Sequence, residues 1–278
     1  PVSSWLNRDS TEGALARIDA QYDEITRALS AALRAIEMLE ADYLAVEEAE
    51  RRAIEPPGGV RDLLARMAWI EGMGDGSVAI ETLDGPDGRR HVVYVPGTQD
   101  AFLDPNQADM QANLASVTGG PSDAAAAVVD AMAAHGIAPG EPVMMAGHSQ
   151  GGMVAMVAAN ALRGRYAITQ VVTVGSPTGR IALPAAVQAL HLENTRDPVP
   201  GLDGRANPDR ANRVTVHHDR RRTERLDTPD RSRTLPQSHA LAGYAQTATL
   251  VDEGLTASTD AWRAGASGFL GAERAQVT

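Results

Sequence analysis

Neither cysteine nor lysine occurs in this chain of 278 residues, and aromatic residues make up 4% of it. Without cysteine there is no disulfide framework, no thiol nucleophile and no thiolate-bound zinc or iron–sulfur centre. Without lysine there is no Schiff-base chemistry, no pyridoxal-phosphate anchor and no phosphate-loop lysine. All 25 basic residues are arginine. No apolar run reaches the roughly 18 residues that read as a membrane span. Positive charge is scarce too: the net charge is −11, which argues against a nucleic-acid partner. Pro1-Val2-Ser3-Ser4-Trp5 has neither the basic nor the apolar region of an export leader. A cytoplasmic location is therefore the default expectation, with a removed leader or leaderless secretion left open. What is present, 43% apolar and 22% charged, is enough to bury the core of one large domain, or of one domain with an extension.

Two regions differ in pattern. Leu15, Tyr22, Leu29, Ile36 and Tyr43 recur every seven residues, interleaved with Ile18, Ile25, Ala32, Leu39 and Val46. This is a heptad seam on a long helix, ended by Pro56-Pro57-Gly58-Gly59. Such a helix either packs back along its own domain or serves self-association or a protein partner. Tyr43 and Glu47 also match a Tyr-x-x-x-Glu helix spacing seen in leaderless secreted proteins. A shorter helix is expected over 60–70. The reading is therefore a helical extension over 1–71 and a second domain over 72–278. There, strands at 77–83, 89–95, 142–146, 170–174, 187–192 and 213–217 alternate with helices from 122, over 153–162, from 238 and over 256–269. Asp84-Gly85-Pro86-Asp87-Gly88 reads as a hairpin turn. That alternation predicts an α/β fold with a mostly parallel central sheet and helices on both faces. Arginine used without lysine, beside abundant alanine, fits a GC-rich bacterial genome by association rather than by physics.

The strongest chemical signal is Gly147-His148-Ser149-Gln150-Gly151, followed by Gly152, between a short strand and a helix. A Gly-x-Ser-x-Gly corner needs that context, because the turn is too tight for bulk beside the serine. A glycine-rich turn with an incidental serine is the plain alternative. The hydroxyl becomes a nucleophile when a histidine takes its proton and an acid orients that histidine. In sites of this kind the acid and then the histidine follow the serine along the chain. Asp197, in a loop after the 187–192 strand, and His239, beyond the 213–217 strand, have that order. Asp197-Pro198 is also an ordinary turn starter, and Asp203 and Asp219 are weaker rivals. His217 and His218 rival His239, while His148 reads as a structural neighbour of the corner. Two donors must face the developing oxyanion. The backbone N–H of Gln150 is one candidate, and the Pro96-Gly97-Thr98-Gln99 loop is expected to bring the other, with a plain strand-ending turn as the alternative. Phe102, Leu103, Met110 and Leu114 in the 99–120 loop are candidates for an acyl site, or part of a solvated connection. The arginines of the 219–233 loop read as a solvated run or as a site for an anionic substrate group.

Taken in order, these segments resemble the α/β-hydrolase superfamily, and most of all its class 3 lipase-type serine esterases. The resemblance is carried by Val95-Pro96-Gly97-Thr98, the corner at 147–152, Val172-Thr173-Val174-Gly175-Ser176-Pro177-Thr178-Gly179, the acid segment at 194–200, and Ser238-His239 with Tyr244. It covers roughly 77–250. It implies a triad of Ser149, Asp197 and His239, with Thr98 and Gln150 as oxyanion donors. The heptad region has no counterpart in it, and no apolar lid helix is visible.

The expectation is a serine hydrolase that cleaves carboxylic esters through an acyl-enzyme, with no cofactor, no metal and a small-molecule ester as substrate. An acyltransferase or a thioesterase would use the same residues. A different reading makes the chain an interaction or export-linked protein whose helical arm is the functional part.

Overall fold

A computed structural model of the chain describes residues 24–30, 55–73, 77–97, 123–219, 238–272 and 274–277. The chain divides into two compact units, Pro1–Ala49 and Glu50–Thr278. In the first, residues 24–30 are helical, and Ile25 and Leu29 of the heptad seam are exposed. The rest of that seam lies outside the described residues.

The second unit begins with helix α1 (Val60–Gly72). Its apolar residues Val60, Leu63, Leu64, Met67 and Ile70 fall at helical spacing and are all buried. The sequence reading grouped this helix with the extension, but its packing belongs to the sheet unit. The hairpin β1 (Ala79–Gly85) and β2 (Gly88–Val95) follows, then α2 (Asp123–His135) and β3 (Pro142–His148). Only Ser149 separates β3 from helix α3 (Gln150–Ala161), which starts at Gln150 and not at 153. Next come β4 (Ala167–Val174), β5 (Gln188–Asn194), a 3-10 turn at Val199–Gly201 and β6 (Arg213–His218). Helices α4 (Leu241–Asp252) and α5 (Ala257–Ala266) precede β7 (Arg274–Val277), a strand the sequence reading did not foresee.

The strands form one sheet in the order β6-β5-β4-β3-β2-β1-β7. Pairs from β2 to β6 are parallel, and β1 pairs antiparallel with β2 and with β7. Alternate residues of the central strands enter opposite cores. Val92, Tyr94, Met144, Ala146, Val172 and Val174 pack on the side of α1, α4 and α5. Val93, Val95, Val143, Met145 and Val171 pack on the side of α2 and α3. Strands buried on both faces need continuous apolar runs, which is what β3 and β4 supply. A mostly parallel sheet, covered on both sides, with a strand–serine–helix corner at its middle strand β3, is the α/β-hydrolase fold expected from the sequence. No helix among the described residues is long and apolar enough to cross a membrane.

Polar groups fix α1 on the sheet. Asp252, at the end of α4, accepts the N–H groups of Val60 and Arg61 at 2.8 and 2.9 Å, capping α1 from another helix. Inside the core, Arg66 donates to Glu81 Oε1 at 2.8 Å and Tyr94 donates to Glu81 Oε2 at 2.6 Å. Burial pushes the Glu81 carboxyl above its ordinary range, with the Tyr94 hydroxyl and Arg66 pulling the other way. Arg66→Ala strands that carboxylate, so denaturant unfolding should show a loss of about 3–5 kcal/mol. Part of that loss should return in the double variant with Glu81→Ala.

Candidate active site

The register brings the carboxyl ends of the parallel strands to one edge, with Val95 opposite Gly147, His148 opposite Val174 and Val174 opposite Leu192. The site residues described below gather at that edge, with Glu71 reaching it from near the end of α1 and Tyr244 from α4. At Ser149 the backbone has φ 55° and ψ −124°, the one positive φ outside glycine among the described residues. Such a torsion is strained for an L residue and persists where its surroundings over-determine it. Here Ser149 N–H donates to Val174 O at 2.9 Å and Gly152 N–H to Ser149 O at 3.2 Å. The corner also demands glycine beside it. A Cβ at Gly151 would lie 2.1 Å from Val95 O, and one at Gly147 would lie 2.4 Å from the Gly151 backbone.

His239 and Asp197 meet. The imidazole Nδ1 lies 2.7 Å from Asp197 Oδ2, with the carboxylate fully buried. An Nδ1–H donated to that carboxylate leaves the neutral ring its lone pair on Nε2. Val199 N–H donates to Asp197 Oδ1 at 3.0 Å, and Tyr244 OH donates to Oδ2 at 2.5 Å. Burial, and then the negative charge of Asp197, push the Tyr244 hydroxyl far up, so it remains a donor. A Cβ at Gly175 would lie 3.0–3.1 Å from Asp197 Oδ2, His239 Cε1 and Tyr244 OH, which puts all three over the end of β4. Ser149 is tied to the same place through Val174 O.

Gln150 opens α3, so its N–H belongs to the helix's first, outward-facing donors. Thr98 lies outside the described residues, as do the 99–120 loop and the arginines from Arg220 to Arg233. Gly97, one residue before Thr98, packs beside Ser149: a Cβ there would lie 3.2 Å from Ser149 Cβ. Its N–H donates to Glu71 Oε1 at 3.0 Å. The rivals are engaged elsewhere. His218 Nδ1 bonds to Thr247 Oγ1 and His217 pairs with Glu193, while Asp203 accepts from Arg180 and Arg205 backbone N–H groups and Asp219 from Thr195 Oγ1.

Glu71 is the residue that sequence reading missed. Its Oε1 also lies 3.0 Å from His148 Nδ1. Burial raises the Glu71 carboxyl, but the hydrogen bond and charge of His148, then Gly97 N–H, outweigh it and hold the group below its ordinary value. An acid in the last turn of a helix opposes the helix dipole, and that misplacement was the signal available. His148 is more than a neighbour of the corner, because its ring also stacks on that of His239.

Among the described residues no three of His, Asp and Glu converge as metal ligands would. A groove of about 640 Å³ between β6 and α5, lined by Arg210, Val214, Thr256 and Trp262 among others, shares no residue with the site.

No protein-family model matches the sequence, and no curated protein matches it either. Solved structures that it resembles include a lipase from Rhizopus microsporus var. chinensis, at 22% identity and a TM-score of 0.26, over 40% of this chain and 47% of that one. The Rhizomucor miehei lipase in its propeptide complex aligns at 18% and 0.30, over 45% and 47%. A hyperthermophilic esterase from the archaeon Pyrobaculum calidifontis aligns at 15% and 0.31, over 70% and 92%. The chain thus spans about half the length of the two lipases (47% of each). With likeness this slight, the functional reading rests on the side chains themselves.

Gly151→Ala should destabilise the chain by at least about 1–3 kcal/mol in denaturant unfolding, since backbone would have to move aside. Gly140→Ala, at a position with nothing within 4 Å of the added Cβ, is the control and should stay within about 0.5 kcal/mol.

Proposed function

We propose that the chain is a serine hydrolase that cleaves carboxylic esters of small molecules through an acyl-enzyme. The observation that carries the reading is the 2.7 Å contact between a buried carboxylate and His239, beside a serine held at positive φ. A serine corner, a histidine with its proton directed at an acid, and a helix N-terminus at the nucleophile together supply what acyl transfer needs.

Ser149 Oγ bonds to the ester carbonyl carbon as its proton passes to His239 Nε2. Asp197 holds the imidazole in the productive tautomer and stabilises the imidazolium. Negative charge on the carbonyl oxygen is met by the Gln150 N–H and by Thr98. Gly97 N–H, committed to Glu71, is not counted among these donors. The carbon–oxygen bond to the alcohol then breaks, with the proton on His239 going to the leaving oxygen. Water attacks the acyl group, gives its proton to His239, and releases the acid with Ser149 restored. No step draws on a cofactor. Within the superfamily, the ordered segments from Val95 to Tyr244 favour the class 3 lipase type.

Intact mass after treatment with a serine-reactive fluorophosphonate tests the reading directly. The native chain should gain one adduct and Ser149→Ala none, with the variant's unfolding unchanged. An adduct on the variant refutes the assignment. Tyr244→Phe should still be labelled, but with kcat on p-nitrophenyl esters lowered by about tenfold, the order expected for losing one hydrogen bond to a buried charge. A paired panel of esters and thioesters, with and without an acceptor alcohol, then separates hydrolase, thioesterase and acyltransferase.

A further inference from the structure

We propose that Glu71 and His148 are positioning residues that couple the general base to the turn beside the nucleophile, so that helix α1 sets the geometry on both sides of Ser149. The inference rests on the reading of Ser149 and His239 above, and it is drawn from four contacts that this mechanism does not use. Glu71 Oε1 accepts from Gly97 N–H at 3.0 Å and lies 3.0 Å from His148 Nδ1. His148 Nε2 lies 2.9 Å from the backbone oxygen of His239. The rings of His148 and His239 stack with centroids 4.6 Å apart and planes 29° from parallel.

Proton counting gives the arrangement its logic. A carbonyl oxygen only accepts, so His148 Nε2 must carry a proton. An ionised carboxylate also only accepts, so a second proton lies between Nδ1 and Oε1. Held in this way, the pair has no net charge. That matters at this place, because an uncompensated carboxylate near Gly97 would repel the oxyanion that forms on Ser149. Among the described residues, Gly97 from the turn after β2, Ser149 from the corner, and His239 with Asp197 beyond the strand ends face the pair. His148 therefore grips His239 through both its main chain and its ring, and Glu71 grips His148 and the turn with one oxygen. Reaction rates respond steeply to small misplacement of a base.

Glu71→Gln keeps the shape and removes the charge. Without the carboxylate to hold a second proton, His148 keeps only the one on Nε2, and the amide then either presents its oxygen to Gly97 N–H, with a bare Nδ1 against a lone pair, or turns its NH2 to Nδ1 and deserts Gly97. One contact is lost in both cases. In the native chain, 15N-histidine NMR should show protons on both ring nitrogens of His148, and Glu71→Gln should lose the Nδ1 proton. The rate of fluorophosphonate acylation at Ser149, and kcat on a p-nitrophenyl ester, should fall by up to about 100-fold. KM and the unfolding midpoint should change little. A Glu71→Gln variant that reacts at the native rate overturns the inference alone. So does a native His148 with a bare Nδ1, a reading that stands even where the variant fails to fold. A folded native chain that takes no fluorophosphonate overturns the assignment of Ser149, and the inference falls with it.

Discussion

At Ser149 the chain passes from the end of β3 into α3 through a backbone conformation that side-chain-bearing residues seldom adopt. The torsion costs roughly 1–3 kcal/mol, and the neighbouring glycines are what let backbone close around it. Much of the site follows from this corner. It turns the serine out at the strand end, starts a helix immediately behind it, and leaves His148 as the last residue of a buried strand. The parallel register then delivers Gly97, Gly175 and the acid loop to the same edge, because each follows a strand that ends level with β3.

Around the corner runs a chain of polar contacts with little access to water. It leads from Gly97 and Glu71 through His148 to the backbone of His239, and from the ring of His239 through Asp197 to Val199 and Tyr244. In a medium of low dielectric each member strengthens its neighbours, and each would be costly to leave unpaired. The site is held by elements far apart in the chain, α1 at one end and α4 at the other. Asp252 joins those two helices directly, as the tertiary cap on α1.

The parts of this that could be read from sequence are the parts encoded locally. Apolar runs in β3 and β4 announce strands buried on two faces, and the glycines at 147 and 151 announce a corner, because sterics act over a few residues. The places of Ser149, Asp197 and His239 after successive strands were legible, since the apolar pattern marks where those strands end. Helix α3 starts at Gln150, earlier than the pattern suggested, because Gly151 and Gly152 weaken a helix signal that the corner overrides. Strand β7 is four residues long and depends on β1 for its pairing, so it has no periodicity of its own to detect. The partner of Glu71 was out of reach for a similar reason, although an acid in the last turn of α1 was visible. Seventy-seven residues separate Glu71 from His148, and nothing within α1 marks that partner. Thr98 and the long loops beyond it lie outside the described residues.

The hold on His239 has a consequence for how such a site can change. His148 takes hold of a backbone carbonyl that any amino acid at that position would carry. The loop is thereby anchored independently of the imidazole it presents. Architecture and chemistry are separable at this point in the chain. A lineage that lost the histidine would keep an intact socket, and a redesigned chain could seat a different functional group in it without rebuilding the loop.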